Sequence, residues 1–133
     1  MRICIIIANY YPEISKKLIF GASKVLNDND LNNFKKIFAP GIFEIPVIIA
    51  KNIKSFDAFI ALGCVIKGET PHFEFISRAT INSISHLSVT YKKPIGNGII
   101  TCLNKQQALI RSDPKKKNKG GEAAKAILSV LKV

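Results

Sequence analysis

Apolar runs and amphipathic stretches alternate along the whole chain, and each change of period marks an element boundary. Ile3 to Ala8 is continuously apolar, the pattern of a strand buried on both faces. Pro12 then opens a helix with Ile14, Leu18, Ala22 and Val25 on its inner face, and Asn27-Asp28-Asn29-Asp30 ends it. Phe34 to Ala39 reads as a short second strand. Pro40-Gly41 turns into a helix with Ile42, Ile45, Ile49 and Ile53 on one face, and Pro46 falls in its first turn, where a missing N–H is tolerated. Ala58 to Ile66 is the third and most hydrophobic strand. A long helix from about Pro71 to Val89 follows, with Phe73, Ile76, Thr80, Ile84 and Leu87 predicted to be buried. Ile95 to Cys102 is a fourth strand, in which Gly96 and Gly98 permit close backbone approach. Asn104 caps a short helix ending near Arg111, Asp113-Pro114 breaks it, and Asn118 or Lys119 starts a last helix carrying Ala124, Ile127, Leu128 and Leu131. Repeated strand and helix units predict an α/β fold: one domain over residues 1–133, a three-layer αβα sandwich, flavodoxin-like, around a four-stranded parallel sheet. Such a small sheet exposes apolar edges that a second copy of the chain would protect.

Composition narrows the class. At 133 residues and 47% apolar the chain can bury a real core, and no apolar run approaches the roughly 20 residues of a membrane span. Met1 to Ala8 has the hydrophobicity of a signal segment but neither a basic leader nor a small-residue cleavage site, so it reads as the first buried strand. Cys4, Cys64 and Cys102 lie in separate strands without CxxC spacing, which argues against a disulfide framework and for a reducing cytoplasm. The net charge of +11 invites a nucleic-acid reading. Its distribution opposes that: the lysines fall in scattered pairs such as Lys16-Lys17, Lys35-Lys36 and Lys92-Lys93, and the cluster at Lys115-Lys116-Lys117 has no interleaved aromatics.

The segment Phe59 to His72 carries the chemistry. A buried strand runs into Gly68-Glu69-Thr70, then Pro71-His72 at a helix start. Ligands of open α/β sheets sit outside the carboxyl ends of the strands. There Gly68-Glu69-Thr70 can turn backbone N–H groups toward an anion, and the following helix presents its positive end to the same place. A phosphate is the natural guest. His72, at about the second helical position, is placed to act as a neutral, proton-accepting ring.

Three segments, Pro40 to Pro46, Asp57 to Glu74 and Asn118 to Ala124, together resemble the 6,7-dimethyl-8-ribityllumazine synthases of riboflavin biosynthesis, in that family's order and over nearly the whole chain. The resemblance implies a transferase that condenses 5-amino-6-ribitylaminouracil with 3,4-dihydroxy-2-butanone 4-phosphate, releasing phosphate and water, with no cofactor and no metal. It also implies a homopentamer with sites between adjacent subunits, in some members assembled into a sixty-subunit shell. Riboflavin synthase, the next enzyme of the route, is the implied protein partner; no nucleic acid or membrane is implied.

Residue by residue, His72 matches the family's acid/base histidine, which shuttles protons during imine formation, phosphate elimination and ring closure. Gly68, Glu69 and Thr70 match its phosphate loop. Arg111 matches an arginine that reaches the phosphate from the neighbouring subunit, a task suited to a planar guanidinium that engages two oxygens. Lys119 matches a lysine near the same phosphate. Glu122 matches a supporting acid, or it complements the last helix's N-terminus. Ile42, Phe43 and Glu44 match the segment that binds the ribityl chain, and Tyr10, or its neighbour Tyr11, an aromatic stacked on the pyrimidine. Val65 and Ile66 contribute backbone contacts to the ring. Lys67 stands where arginine is frequent, and Asn97 where many members carry a phenylalanine that covers the ring from the next subunit. The chain also begins directly at strand one, without the extension of longer members, which favours the pentamer over the shell. A rival reading, a phosphate- or flavin-binding module without turnover, rests on the flavodoxin-like pattern and the excess positive charge.

Overall fold

The computed structural model describes residues 1–133 and contains β1 (Ile3–Ala8), α1 (Pro12–Asp28), β2 (Lys35–Ala39), α2 (Ile45–Asn52), β3 (Ala58–Ile66), α3 (His72–Tyr91), β4 (Ile95–Cys102), α4 (Lys105–Ser112) and α5 (Lys119–Leu131). A 3₁₀ turn, Ile42–Glu44, precedes α2. The strands form one sheet in the order β2-β1-β3-β4, and every pairing is parallel. This is the α/β, flavodoxin-like arrangement the pattern predicts.

Side-chain alternation divides the core in two. Ile3, Ile5, Ile7, Ile60 and Leu62 face α1, α4 and α5, packing with Leu18, Ala22, Ala108, Ala124 and Ile127. Cys4, Ile6, Phe59 and Ala61 face α2 and α3, packing with Ile42, Ile45, Ile49, Ile53 and Ile84. Strands buried on both faces read as unbroken apolar runs, which is why β1 and β3 are so conspicuous in the sequence.

Two expectations change in detail. Along α3 the buried side chains are Ser77, Thr80 and Ile84, whereas Phe73, Ile76 and Leu87 are only partly covered. The helix presents an apolar stripe wider than the cover one chain provides. Position 72 is the first helical residue, one earlier than expected, because Pro71 occupies the N-cap. The close approach anticipated on β4 is present: a Cβ at Gly96 would clash with the Ala123 carbonyl, and one at Gly98 with the Leu62 side chain.

Candidate active site

Because all four strands are parallel, Ala39, Ala8, Ile66 and Cys102 end on one edge of the sheet, and the segments that follow them share that mouth. Val65 and Ile66 are half-buried, and Lys67 to His72 are exposed. The Lys67 N–H donates to the Cys102 carbonyl at 2.9 Å, tying the ends of β3 and β4 together. Beyond that tie the amides of Gly68, Glu69, Thr70 and Phe73 donate to no group of the chain. The His72 N–H donates to Thr70 Oγ1 at 3.4 Å, which folds the hydroxyl over the start of α3 and leaves the imidazole in solvent. Gly68 has no positive φ, and a Cβ there would meet nothing within 4 Å. Its backbone therefore needs no glycine; what the missing side chain leaves is bare, approachable amide.

Two further segments border the mouth. Tyr11 is half-buried against the core, while Tyr10 is 73% exposed with its ring edge-on to Tyr11, centroids 4.9 Å apart. Tyr10 is thus the ring free to meet a ligand. After β2, Ile42 points into the core against Gly63, Phe43 stands 61% exposed, and the half-buried Glu44 carboxylate curls back over Gly41, where a Cβ would lie 3.0 Å from Oε1. Phe43 and Glu44 open a groove of about 350 Å³ against Ala79, Thr80 and Ser83 of α3. The Thr80 hydroxyl is buried with no partner, as is that of Ser77. A larger groove of about 430 Å³ lies at the opposite end of the sheet, between Ser88–Ile95 and Ala126–Val133. Concavity alone does not locate the chemistry here.

The remaining candidates stand on elements other than the β3–α3 junction that carries His72. Arg111 lies in the last turn of α4 and Lys119 begins α5, both in the helical layer across the sheet from α2 and α3. Lys119 Nζ pairs with Glu122 Oε2 at 3.1 Å on the surface. Asn97 pairs in register with Ala61, five residues before Ile66, or about 16 Å short of the mouth at strand spacing. It is exposed on the open β4 edge, with Oδ1 accepting from the Ile99 N–H at 3.1 Å.

All three cysteines are free and buried. Burial pushes the Cys4 thiol up to about 11 and the Cys64 thiol up to about 12, the latter with a further contribution from Cys102. Burial also raises Cys102, partly offset by the nearby Arg111 guanidinium, and raises the Tyr11 phenol. A thiol held protonated is a poor nucleophile, so all three cysteines, Cys64 and Cys102 near the mouth and Cys4 at the far end of the sheet, are packing groups. No cluster of His, Cys, Asp and Glu side chains of metal-binding size forms, and no helix is long and apolar enough to cross a membrane.

The family model for 6,7-dimethyl-8-ribityllumazine synthase matches residues 1–133. Relatives of that name include one from Zymomonas mobilis, 40% identical over 98% of this chain and 94% of its own length. One from Buchnera aphidicola of Acyrthosiphon pisum is 42% identical over 98% of this chain and 85% of its own. A third, 6,7-dimethyl-8-ribityllumazine synthase 1 of Rhodopseudomonas palustris, is 40% identical over 99% and 85%. With a full-length family match and this conservation of identity across both chains' lengths, the chain belongs to the 6,7-dimethyl-8-ribityllumazine synthase family.

Proposed function

We propose that this chain condenses 5-amino-6-ribitylaminouracil with 3,4-dihydroxy-2-butanone 4-phosphate to 6,7-dimethyl-8-ribityllumazine, in sites formed between adjacent copies of a cytoplasmic homopentamer. The observation that carries the reading is the β3 mouth, where four unpaired backbone amides stand beside an exposed imidazole at a helix start. Amides of this kind suit a phosphate, and the Thr70 hydroxyl and the positive end of α3 add to them. His72 then sits within reach of the carbon atoms attached to that phosphate. It takes and returns protons as the 5-amino group forms an imine with loss of water, as phosphate departs, and as the second amine closes the ring with loss of water.

The pyrimidine stacks on Tyr10, its ribityl chain meets the Phe43 backbone and the Glu44 carboxylate, and the Val65 and Ile66 backbone flanks the ring. Ile42 supports this segment from the core, and Lys67 lies beside it. Arg111 and Lys119 of the adjacent copy complete the phosphate site, with Glu122 holding Lys119, and Asn97 of that copy meets the ring by a hydrogen bond in place of stacking. Riboflavin synthase is the partner that consumes the product.

Mixing the two substrates and following the conjugated, fluorescent product by absorbance tests the reading. Product formation is expected, slowed in His72→Ala and shifted to higher phosphate-substrate demand in Arg111→Ala. Salt-sensitive ligand binding without product, or unchanged kinetics in both variants, would overturn it.

A further inference from the structure

The first turn of α5 is held by backbone contact with α1. A Cβ on Gly120 would clash with the Leu18 carbonyl, and a Cβ on Gly21 would occupy the space of Asn118 Oδ1 and lie 3.1 Å from the Gly121 nitrogen. Asn118 is the α5 N-cap and stands in the left-handed region, at φ 46° and ψ 52°. Its Oδ1 accepts from the Gly121 N–H at 3.2 Å, its carbonyl accepts from the Glu122 N–H at 2.9 Å, and its own N–H donates to the Asp113 carbonyl at 3.0 Å. Every polar handle of this residue except its amide NH₂ is thus engaged, and the bare Gly21 surface is what admits the side chain. Glycine inside a helix is a destabilising choice, so its presence in the middle of α1 needs a packing reason. Lys119 follows the capped residue directly, and Arg111 precedes Asp113 by two positions.

We propose that Gly21 is a positioning residue: by admitting the Asn118 side chain it fixes the start of α5, and so the place from which Lys119 meets the substrate phosphate. This rests on the phosphate role given to Lys119 under the proposed function. A residue in the middle of α1, on a different element from either cation, would then set affinity for one substrate and not the other.

The test is a double-variant cycle on the full chain, measuring KM for each substrate and the melting temperature. Gly21→Ala is expected to raise KM for the butanone phosphate about fivefold, leaving the pyrimidine KM within about twofold. Asn118→Gly keeps the backbone geometry but loses the cap, and is expected to raise the same KM about threefold. In the double variant Gly21→Ala no longer meets the Asn118 side chain and keeps only the tight approach to the Gly121 nitrogen, so its KM should lie close to that of Asn118→Gly, well short of the product of the two effects. A purely structural glycine would lower the melting temperature and move both KM values together or neither, which would overturn the proposal, as would simple multiplication of the two effects. Lys119→Ala separates the layers: no rise in its phosphate-substrate KM would overturn the Lys119 assignment and this inference with it. A rise there with none in Gly21→Ala would overturn the inference alone. Should Gly21→Ala not fold, Asn118→Gly decides, and an unchanged KM there would overturn the proposal.

Discussion

Across the sheet, the two helical layers differ in how fully one chain completes them. On the α1, α4 and α5 side, Gly96 and Gly120 let backbones touch, and the two buried hydroxyls, Ser15 and Ser112, donate to backbone carbonyls of the chain. On the α2 and α3 side, Phe43, Val47 and Phe75 stand more than half exposed, and the buried hydroxyls of Ser77 and Thr80 find no partner. Buried polar groups are nearly always paired, and contiguous exposed apolar side chains on a small protein mark an interaction surface. Phe20 and Val130 are exposed on the first layer too, but its buried polar groups are satisfied within the chain; the second layer leaves two hydroxyls for water, substrate or another copy. The catalytic candidates divide along the same line, with His72, Phe43 and Glu44 on the open side and Arg111 and Lys119 on the closed one.

The largest expected effect is chemical and confined to the open side. His72→Ala should lower kcat by about 10²–10⁴ while leaving the melting temperature near wild type, since the ring is exposed. Equal loss of stability would place the histidine in the scaffold instead. Next, Gly120→Ala on the closed side should destabilise the chain by about 3 kcal/mol, read by denaturant titration, because a backbone carbonyl cannot yield as a side-chain tip does. A neutral result there would remove the distinction between the layers. A smaller change of a different kind is expected from Phe75→Ser, where a 69% exposed ring leaves the open face: particle mass by light scattering should fall while far-ultraviolet dichroism is retained. Wild-type protein scattering as a monomer would contradict the reading of that face.

The smallest effect is electrostatic. Cys4 and Cys64 have folded values raised by burial to about 11 and about 12, from 9.0. The native state then holds protons that the unfolded chain releases. The associated stability is complete below pH 9 and lost as pH climbs through the folded values. Stability should fall between about pH 9 and 12, and less so in a Cys4→Ala, Cys64→Ala variant, once the packing cost at neutral pH is subtracted.

Continuous apolar runs make β1 and β3 legible to the residue, because both faces of these strands are buried; β4 is legible too, although the exposed Asn97 and Thr101 interrupt its run. The edge strand β2 begins one residue after Phe34, a boundary the pattern does not mark because the exposed Lys35, Lys36 and Phe38 carry no clean alternation. The 3₁₀ turn at Ile42–Glu44 is indistinguishable from α2 by pattern, because Ile42 and Ile45 share a buried face in either geometry. The inner face of α3 is narrower than its apolar spacing predicts at Phe73, Ile76 and Leu87, because spacing cannot distinguish a surface covered by the same chain from one left for a neighbour. His72 and the Gly68-Glu69-Thr70 loop were legible because strand, turn and helix start are consecutive in sequence. The distance of Asn97 from that mouth was not, since it depends on pairing register. The Gly21 and Asn118 contact was also hidden, joining residues far apart in the chain through a space defined only by a missing side chain.

Sharing of one site between two copies is tested most directly by mixing two crippled variants. His72→Ala and Arg111→Ala proteins, each assayed alone and then after co-refolding in equal amounts, should be nearly inactive apart at low phosphate substrate. Together, a ring of heterologous contacts pairs intact His72 of one copy with intact Arg111 of the next at about a quarter of the sites. Recovery of about that fraction of wild-type activity is the predicted result; a mixture no more active than the sum of its separate parts would contradict it.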